Sequence, residues 1–422
     1  MPSSSANLDT LAIHGGTPLR AKLLPYGRQS LDEDDIQAVT EVLRSDWLTT
    51  GPKVGEFEEA FAQWVGARFA VSFSSGTAAL HGATFAAGLG AGDEAITTPL
   101  TFCATANCVL YQGAIPVFAD VCDDTLNLDP REVSRKISSR TKAIIAVDYA
   151  GHPAALDEMR GIAGRTGAVL IEDACHALGA EFQGKRVGGI ADMTVFSFHP
   201  VKHLTTGEGG MVTTDNPRLA EILRRFRNHG ISSEARDRQE SGQWFYEMVL
   251  LGFNYRLTDI ACALGLSQIG KLEANLVRRR EIAEHYAREF NGLADITLPA
   301  VRDRVNPAWH LYPIRLNLEG LSADRSEIFR ALLAENIGVN VHYIPVHRHP
   351  YYREHFPAAS REGSCPIAEN GYERLISLPM FHSMTDEDVA DVIGALRKVI
   401  GYYAMQGERG HTLSSRAEQT HV

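Results

Sequence analysis

Ala168-Val169-Leu170-Ile171-Glu172-Asp173-Ala174-Cys175-His176 is the stretch on which the reading of the fold turns. Four apolar residues without polar alternation fit a strand covered on both faces, and the carboxylates that follow mark its C-terminal end. An unpaired carboxylate is expensive to bury there, so Asp173 calls for a cationic partner. Asp is also a favoured helix N-cap, and that reading stays open. Both roles put Asp173 at a strand's C-terminal edge.

Similar short apolar runs lie on either side: Ala70-Val71-Ser72-Phe73, Ala95-Ile96-Thr97, Pro116-Val117-Phe118-Ala119, Ala143-Ile144-Ile145-Ala146-Val147, Thr194-Val195-Phe196 and Met211-Val212-Thr213. Several are rich in β-branched residues and alternate with helical stretches, the pattern of βαβ units around a mostly parallel sheet. Ahead of them, Ser30 and Glu33 make a capping-box signature before Ile36, Val39 and Leu43, whose spacing shares one helical face. Phe57, Phe61 and Trp64 repeat that pattern. After the runs, Asp259 to Phe290 reads as a long helix, with Ile269, Leu272 and Leu276 on one side and charges on the other, bridging two units. A strand at His310 to Leu316, a helix through Ile328 and Leu332 and a last helix ending near Val399-Ile400 complete the pattern. The chain thus divides into a loose start (1–24), a large α/β unit (25–270), a smaller α/β unit (271–403) and a polar, disordered tail (404–422).

Bulk composition narrows the function. A net charge of -11 without a long basic stripe argues against nucleic acid or an anionic membrane as partner, so an anionic substrate needs a local basic pocket. The six cysteines show neither a C-x-x-C pair nor metal-site spacing; reduced thiols and no metal are expected. Met1 to Asn7 lacks the features of a secretory signal, and no apolar run reaches membrane-spanning length, which places the chain in the cytoplasm.

Chemistry concentrates in Phe196-Ser197-Phe198-His199-Pro200-Val201-Lys202-His203-Leu204-Thr205-Thr206-Gly207-Glu208-Gly209-Gly210. Lys202 follows a buried strand among small and hydroxyl residues. A partly desolvated amine is a ready nucleophile toward an aldehyde, and pyridoxal phosphate (PLP) is the common aldehyde cofactor held by a lysine Schiff base. Such a cofactor requires a carboxylate for its pyridine nitrogen, donors for its phosphate and a flat group against its ring. Asp173 supplies the first. Ser75-Gly76-Thr77, between strand and helix, can turn backbone N–H groups and a hydroxyl toward a phosphate, although a plain capped turn has the same sequence. Phe102, after the Pro99 turn, can stack on the ring or pack as ordinary core.

Together these segments resemble the sugar-nucleotide aminotransferase family of fold type I PLP enzymes, from about Pro25 to about Leu396. Four separated motifs carry the resemblance in order: Ser74-Ser75-Gly76-Thr77-Ala78-Ala79-Leu80, Thr101-Phe102, Glu172-Asp173-Ala174, and the lysine segment through Gly207-Glu208-Gly209-Gly210. The resemblance implies an α/β fold type I transferase, with a mostly parallel sheet covered on both faces and a smaller α/β C-terminal domain. It implies that Lys202 carries the cofactor, Asp173 pairs with the pyridine nitrogen and His176 contacts the ring hydroxyl side. Ser197, Gly76 and Thr77 would hold the phosphate and Phe102 would cover the ring. Asn254, in Gly252-Phe253-Asn254-Tyr255-Arg256, is similar to a residue that reaches the phosphate from a neighbouring subunit, which implies a homodimer with shared sites. His342-Tyr343-Ile344-Pro345-Val346-His347 looks like the segment near the nucleotide sugar, so His342, Tyr343 and His347 are candidate substrate contacts; buried, satisfied histidines are the alternative.

Asp46-Trp47-Leu48-Thr49-Thr50-Gly51-Pro52, the lysine segment and Leu251-Gly252-Phe253-Asn254-Tyr255-Arg256 most resemble the subgroup that serves the pseudaminic-acid pathway. That subgroup aminates C4 of a UDP-linked 4-keto-6-deoxy-N-acetylhexosamine with L-glutamate. His203 departs from its pattern, which has Pro there. Three alternatives stay open: another nucleotide-linked keto sugar, dTDP- or GDP-linked; a PLP-dependent sugar dehydratase, which Lys202 disfavours because such relatives carry His in its place; and a PLP-binding regulator without turnover.

Overall fold

The computed structural model describes residues 10–232, 238 and 242–418. Residues 1–9 and 419–422, the outer parts of the expected loose start and tail, lie outside them. All seven apolar runs form strands of one sheet: β1 (Phe69–Phe73), β2 (Glu94–Thr97), β3 (Ile115–Phe118), β4 (Thr141–Val147), β5 (Val169–Asp173), β6 (Met193–Ser197) and β7 (Gly210–Thr214). Their order is β1-β7-β6-β5-β4-β2-β3, and β7 alone runs against the others.

The strands read as continuous apolar runs because both sheet faces are buried and successive side chains point to opposite sides. Val71, Phe73, Ile145 and Ile171 pack on one face with helix α3 (Gly76–Ala86). On the opposite face, Ala70, Phe196 and Met211 meet Phe57 and Phe61 of α2 (Pro52–Val65), while Ile144 and Leu170 pack with Met159 and Ile162 of α6 (Leu156–Thr166). Fully burying one such side chain contributes about 1.5–3 kcal/mol.

Helix α1 (Glu33–Leu43) corrects the expected cap and the expected apolar face. Its capping box is Asp32 with Asp35, and Ile36 and Leu43 are 54% and 57% exposed. Its buried side carries Val42 and Asp35, because Asp35 accepts a hydrogen bond from Gln268 at 2.7 Å and pairs with Lys271 at 2.9 Å. Those partners belong to α8 (Asp259–Phe290), a single 32-residue helix with the bounds read from sequence. Leu272 and Leu276 of α8 enter the core under the sheet, and Ile282, Tyr286 and Phe290 enter the core of the C-terminal half. The boundary drawn at 270/271 therefore falls inside an unbroken helix.

The C-terminal half is built on the antiparallel strands β8 (Ile296–Thr297), β9 (Tyr312–Leu316) and β10 (Leu375–Leu378), with α9 (Arg325–Ala334) against them. The described part of the start is not loose. Leu11 is fully buried in this core, and Leu24 bridges Ile337. The last helix, Asp386–Glu418, runs on through most of the segment expected to be disordered, which contains no proline to stop it.

Candidate active site

Three chain crossings meet at the C-terminal edge of the sheet, the usual ligand position in open α/β folds. β1 leads through Ser74-Ser75 into α3, β5 ends on Asp173, and β6 ends on Ser197 just before the lysine loop. Between them and the C-terminal half lies a cavity of about 480 Å³. Gly76, Thr77, Phe102, Asp173, His176, Ser197, Lys202, His342 and Tyr343 all line it, so nine of the candidates converge there.

Asp173 sits on the sheet opposite Val147 and Val195 and is buried. Its Oδ2 accepts a hydrogen bond from the Thr105 hydroxyl at 2.7 Å, and its Oδ1 accepts one from the Cys175 N–H at 3.2 Å. Those two bonds fix the direction of the carboxyl group. In the same cavity, the Lys202 Nζ lies 3.4 Å from His310 Nε2. Burial draws the lysine amine below its ordinary value, with the Arg279 cation acting in the same sense and Asp173 against it. His176 Nε2 lies 3.0 Å from the Tyr343 hydroxyl, and burial keeps its imidazole neutral.

The turn from β1 into α3 is tight. Ser75 caps α3 by accepting from the Ala78 N–H at 3.1 Å, which leaves the first N–H groups of the helix toward the cavity. A Cβ on Gly76 would lie 2.9 Å from Ser197 Cβ and 3.1 Å from its hydroxyl. Gly76→Ala is therefore expected to push these two walls apart and weaken cofactor binding by roughly tenfold or more, a loss of about 1.4 kcal/mol or greater. Titration of the cofactor-free chain with PLP checks it; an unchanged dissociation constant would show that the turn does not touch the phosphate.

Three candidates sit differently. Phe102 lines the cavity but is 57% exposed, with its ring 6.1 Å from that of Tyr343. Asn254 is exposed and does not line this chain's cavity, although its neighbour Tyr255 accepts the Ser74 N–H through its carbonyl at 2.8 Å. His347 corrects the sequence reading: it is fully buried outside the cavity, 3.0 Å from Glu369, with Phe118 nearby. It is an interior histidine paired through Nε2 with Glu369, while its buried Nδ1 has no hydrogen-bond partner among the described residues. His342 does line the cavity, fixed by Ser377 at 2.9 Å, and burial lowers its pKa to about 4. The expected basic pocket is thus a set of neutral imidazoles around one lysine.

Thr105, His310 and Tyr26 also line the cavity and were missed. His203, where the subgroup has Pro, is buried with its Nε2 2.9 Å from the Ala308 carbonyl.

Asp148, after β4, and Glu172, on β5, are two buried carboxyls: Asp148 Oδ1 accepts from the Ala154 N–H at 2.8 Å and Glu172 Oε2 from the Thr194 hydroxyl at 2.8 Å, while Asp148 Oδ2 and Glu172 Oε1 have no hydrogen-bond partner among the described residues. Burial pushes Glu172 up to about 7 and Asp148 well above its ordinary value, so one of the two keeps its proton at neutral pH. The folded state thus holds a proton that the unfolded chain releases near the ordinary carboxylate value of 4.5. The associated stability is complete below that value and is lost as pH rises through about 7. Urea unfolding is expected to show on the order of 1–3 kcal/mol less stability at alkaline than at mildly acidic pH, a difference that shrinks in Glu172→Gln. An equal pH slope in both proteins would remove the pair as its cause.

A lysine amine and a strand-end carboxylate lining one cavity with the N-terminus of α3 fit PLP in their donor set and in the close Gly76–Ser197 wall. Such a site on this sheet defines a fold type I PLP-dependent transferase. The chain belongs to the DegT/DnrJ/EryC1/StrS aminotransferase family, whose model matches residues 29–397. It is 43% identical over 383 residues to the spore coat polysaccharide biosynthesis protein SpsC of Bacillus subtilis, covering 90% of this chain and 98% of that one. Among solved structures it resembles Helicobacter pylori PseC, an aminotransferase involved in the biosynthesis of pseudoaminic acid, at 35% identity and a TM-score of 0.83 over 90% of this chain and all of that one. The PLP-form of the putative sugar aminotransferase Spr1654 from Streptococcus pneumoniae matches at 30% identity and a TM-score of 0.83, covering 91% of this chain and 99% of that one. The chain is a PLP-dependent sugar aminotransferase. Among its described residues, no helix is long and apolar enough to cross a membrane.

Proposed function

We propose that this aminotransferase moves the amino group of L-glutamate to C4 of a UDP-linked 4-keto-6-deoxy-N-acetylhexosamine, in the cytoplasm, for bacterial surface-sugar synthesis. The observation that carries the reaction is that Lys202 and Asp173 line one cavity, together with His342 and Tyr343. The substrate reading rests on likeness to the pseudoaminic-acid enzyme.

Pyridoxal phosphate, when bound, supplies an electron sink for charge developing on the reacting carbon. Asp173, held by Thr105 and the Cys175 N–H, would pair with the pyridine nitrogen and keep it protonated. The Lys202 amine, whose basicity burial lowers, would take the proton from the α-carbon of the donor and return one to the sugar carbon. The N–H groups opening α3, with Ser197, would hold its phosphate. His176 and Tyr343 hold each other and border the space for the sugar.

A homodimer with shared sites belongs to the same proposal. Trp244, Phe245, Met248, Val249 and Leu251 are all exposed, Trp244 at 84%, immediately before Asn254. An apolar patch of that kind on a folded chain marks an interaction surface. A second copy seated there would bring Asn254 toward its neighbour's phosphate turn.

The spore-coat relative favours a second reading, amination of another nucleotide-linked keto sugar. Product analysis across UDP- and dTDP-linked keto sugars, with glutamate as donor, separates the two. A 4-amino UDP-sugar with stoichiometric oxoglutarate supports the first; preference for a dTDP-sugar replaces it. Loss of a sugar hydroxyl without nitrogen gain would indicate a dehydratase, and cofactor binding without product a regulator.

A further inference from the structure

His310 is buried just before β9, and its Nε2 is the one hydrogen-bond partner of Lys202 Nζ among the described residues, at 3.4 Å. The backbone around it is clamped: Arg279 donates to the carbonyls of Trp309 at 3.1 Å, His310 at 3.4 Å and Met380 at 3.0 Å. His310 Nδ1 is buried without a partner, so nothing fixes its ring except packing and the lysine. The ring centroid of His176 lies 4.4 Å away and that of His203 5.5 Å away.

We propose that His310 is a positioning residue for amino transfer: its Nε2 lone pair takes a hydrogen bond from the Lys202 amine and aims that amine into the cavity. The proposal deepens the reaction described above and rests on Lys202 being the group that moves the proton.

The electrostatics favour this direction of the bond. Around Lys202 and His310 stand Arg279 from α8, His176, Cys175 and Asp173 from the end of β5, His203 from the lysine loop, and His342 and Tyr343 from the C-terminal half. Burial first, then the Lys202 charge, holds the His310 imidazole well below its ordinary value, and Arg279 adds to this. A second cation beside Arg279 and Lys202 is disfavoured, so His310 stays neutral and accepts. An ammonium donates to that lone pair more strongly than an amine does. The imidazole therefore offsets part of the lowering that burial and Arg279 impose on Lys202, and keeps the amine basic enough to take a proton from carbon.

The test compares His310→Leu, which removes the acceptor, with His310→Gln, whose amide oxygen restores one. In the full chain freed of cofactor, Lys202 is labelled by reductive methylation with formaldehyde across pH, and its peptide is quantified by mass spectrometry. The labelling midpoint is expected to fall by about one pH unit in His310→Leu and to stay near wild type in His310→Gln. With cofactor and glutamate, the maximal rate of the glutamate half-reaction is expected to drop about 10- to 100-fold in His310→Leu, with the glutamate concentration for half-maximal rate little changed, and to recover in His310→Gln. A midpoint that does not move in His310→Leu, or that moves equally in both variants, overturns the proposal. If wild type fails to use glutamate, the proposed function falls, while the labelling comparison still decides what His310 does.

Discussion

Lys202→Ala is expected to abolish amino transfer, with a loss of roughly 10⁴-fold or more, and to remove the Schiff-base absorbance of the cofactor-loaded protein. The side chain lies in the cavity, and its amine reaches only His310 among the described residues. Removing it strips no strand or helix of a packing partner, so the fold should survive and cofactor should still bind through the phosphate turn. That combination separates chemistry from structure. Amino sugar output and the visible spectrum are measured on the same sample. A variant that keeps both would show that Lys202 is an ordinary loop lysine, and the assignment of the cavity would end there.

Asp173→Asn is expected to fold and to lose turnover by about 10²- to 10⁴-fold. The change is nearly isosteric: the amide oxygen can still accept from Thr105 or from the Cys175 N–H, but the negative charge is gone. The remaining contacts isolate the electrostatic part of its role. Asn is as good a helix cap as Asp, so a purely structural Asp173 predicts unchanged kinetics in a stable protein. Glutamate half-reaction rates together with a denaturation midpoint distinguish the two. Wild-type rates would mean that the charge at the end of β5 is not used.

The sheet was readable because each strand is covered on both faces, which writes burial directly into consecutive residues such as Ala143-Ile144-Ile145-Ala146-Val147. The candidates on β5, on the turn after β1 and on the lysine loop were readable for a related reason. Strand ends and helix starts place side chains with little help from distant packing. What failed depends on contacts between remote segments. Nothing near Asp35 foretells Gln268 or Lys271, so the apolar residues of α1 were assigned the wrong face. His347 and His342 look alike in sequence, yet one meets Glu369 in the interior and the other meets the cavity. His310 approaches Lys202 from 108 residues away, and no local spacing encodes that.

The rod formed by Asp259–Phe290 has a mechanical consequence. Its first half is gripped by the packing beneath the sheet and its second half by the packing of the C-terminal half, with no proline or break between. Arg279, in the middle of that rod, also holds the carbonyl of His310. Neither half can tilt without levering the other, so the gap between Asp173 and Tyr343 behaves as a preset gauge. Selection among sugars then falls to what that gauge admits.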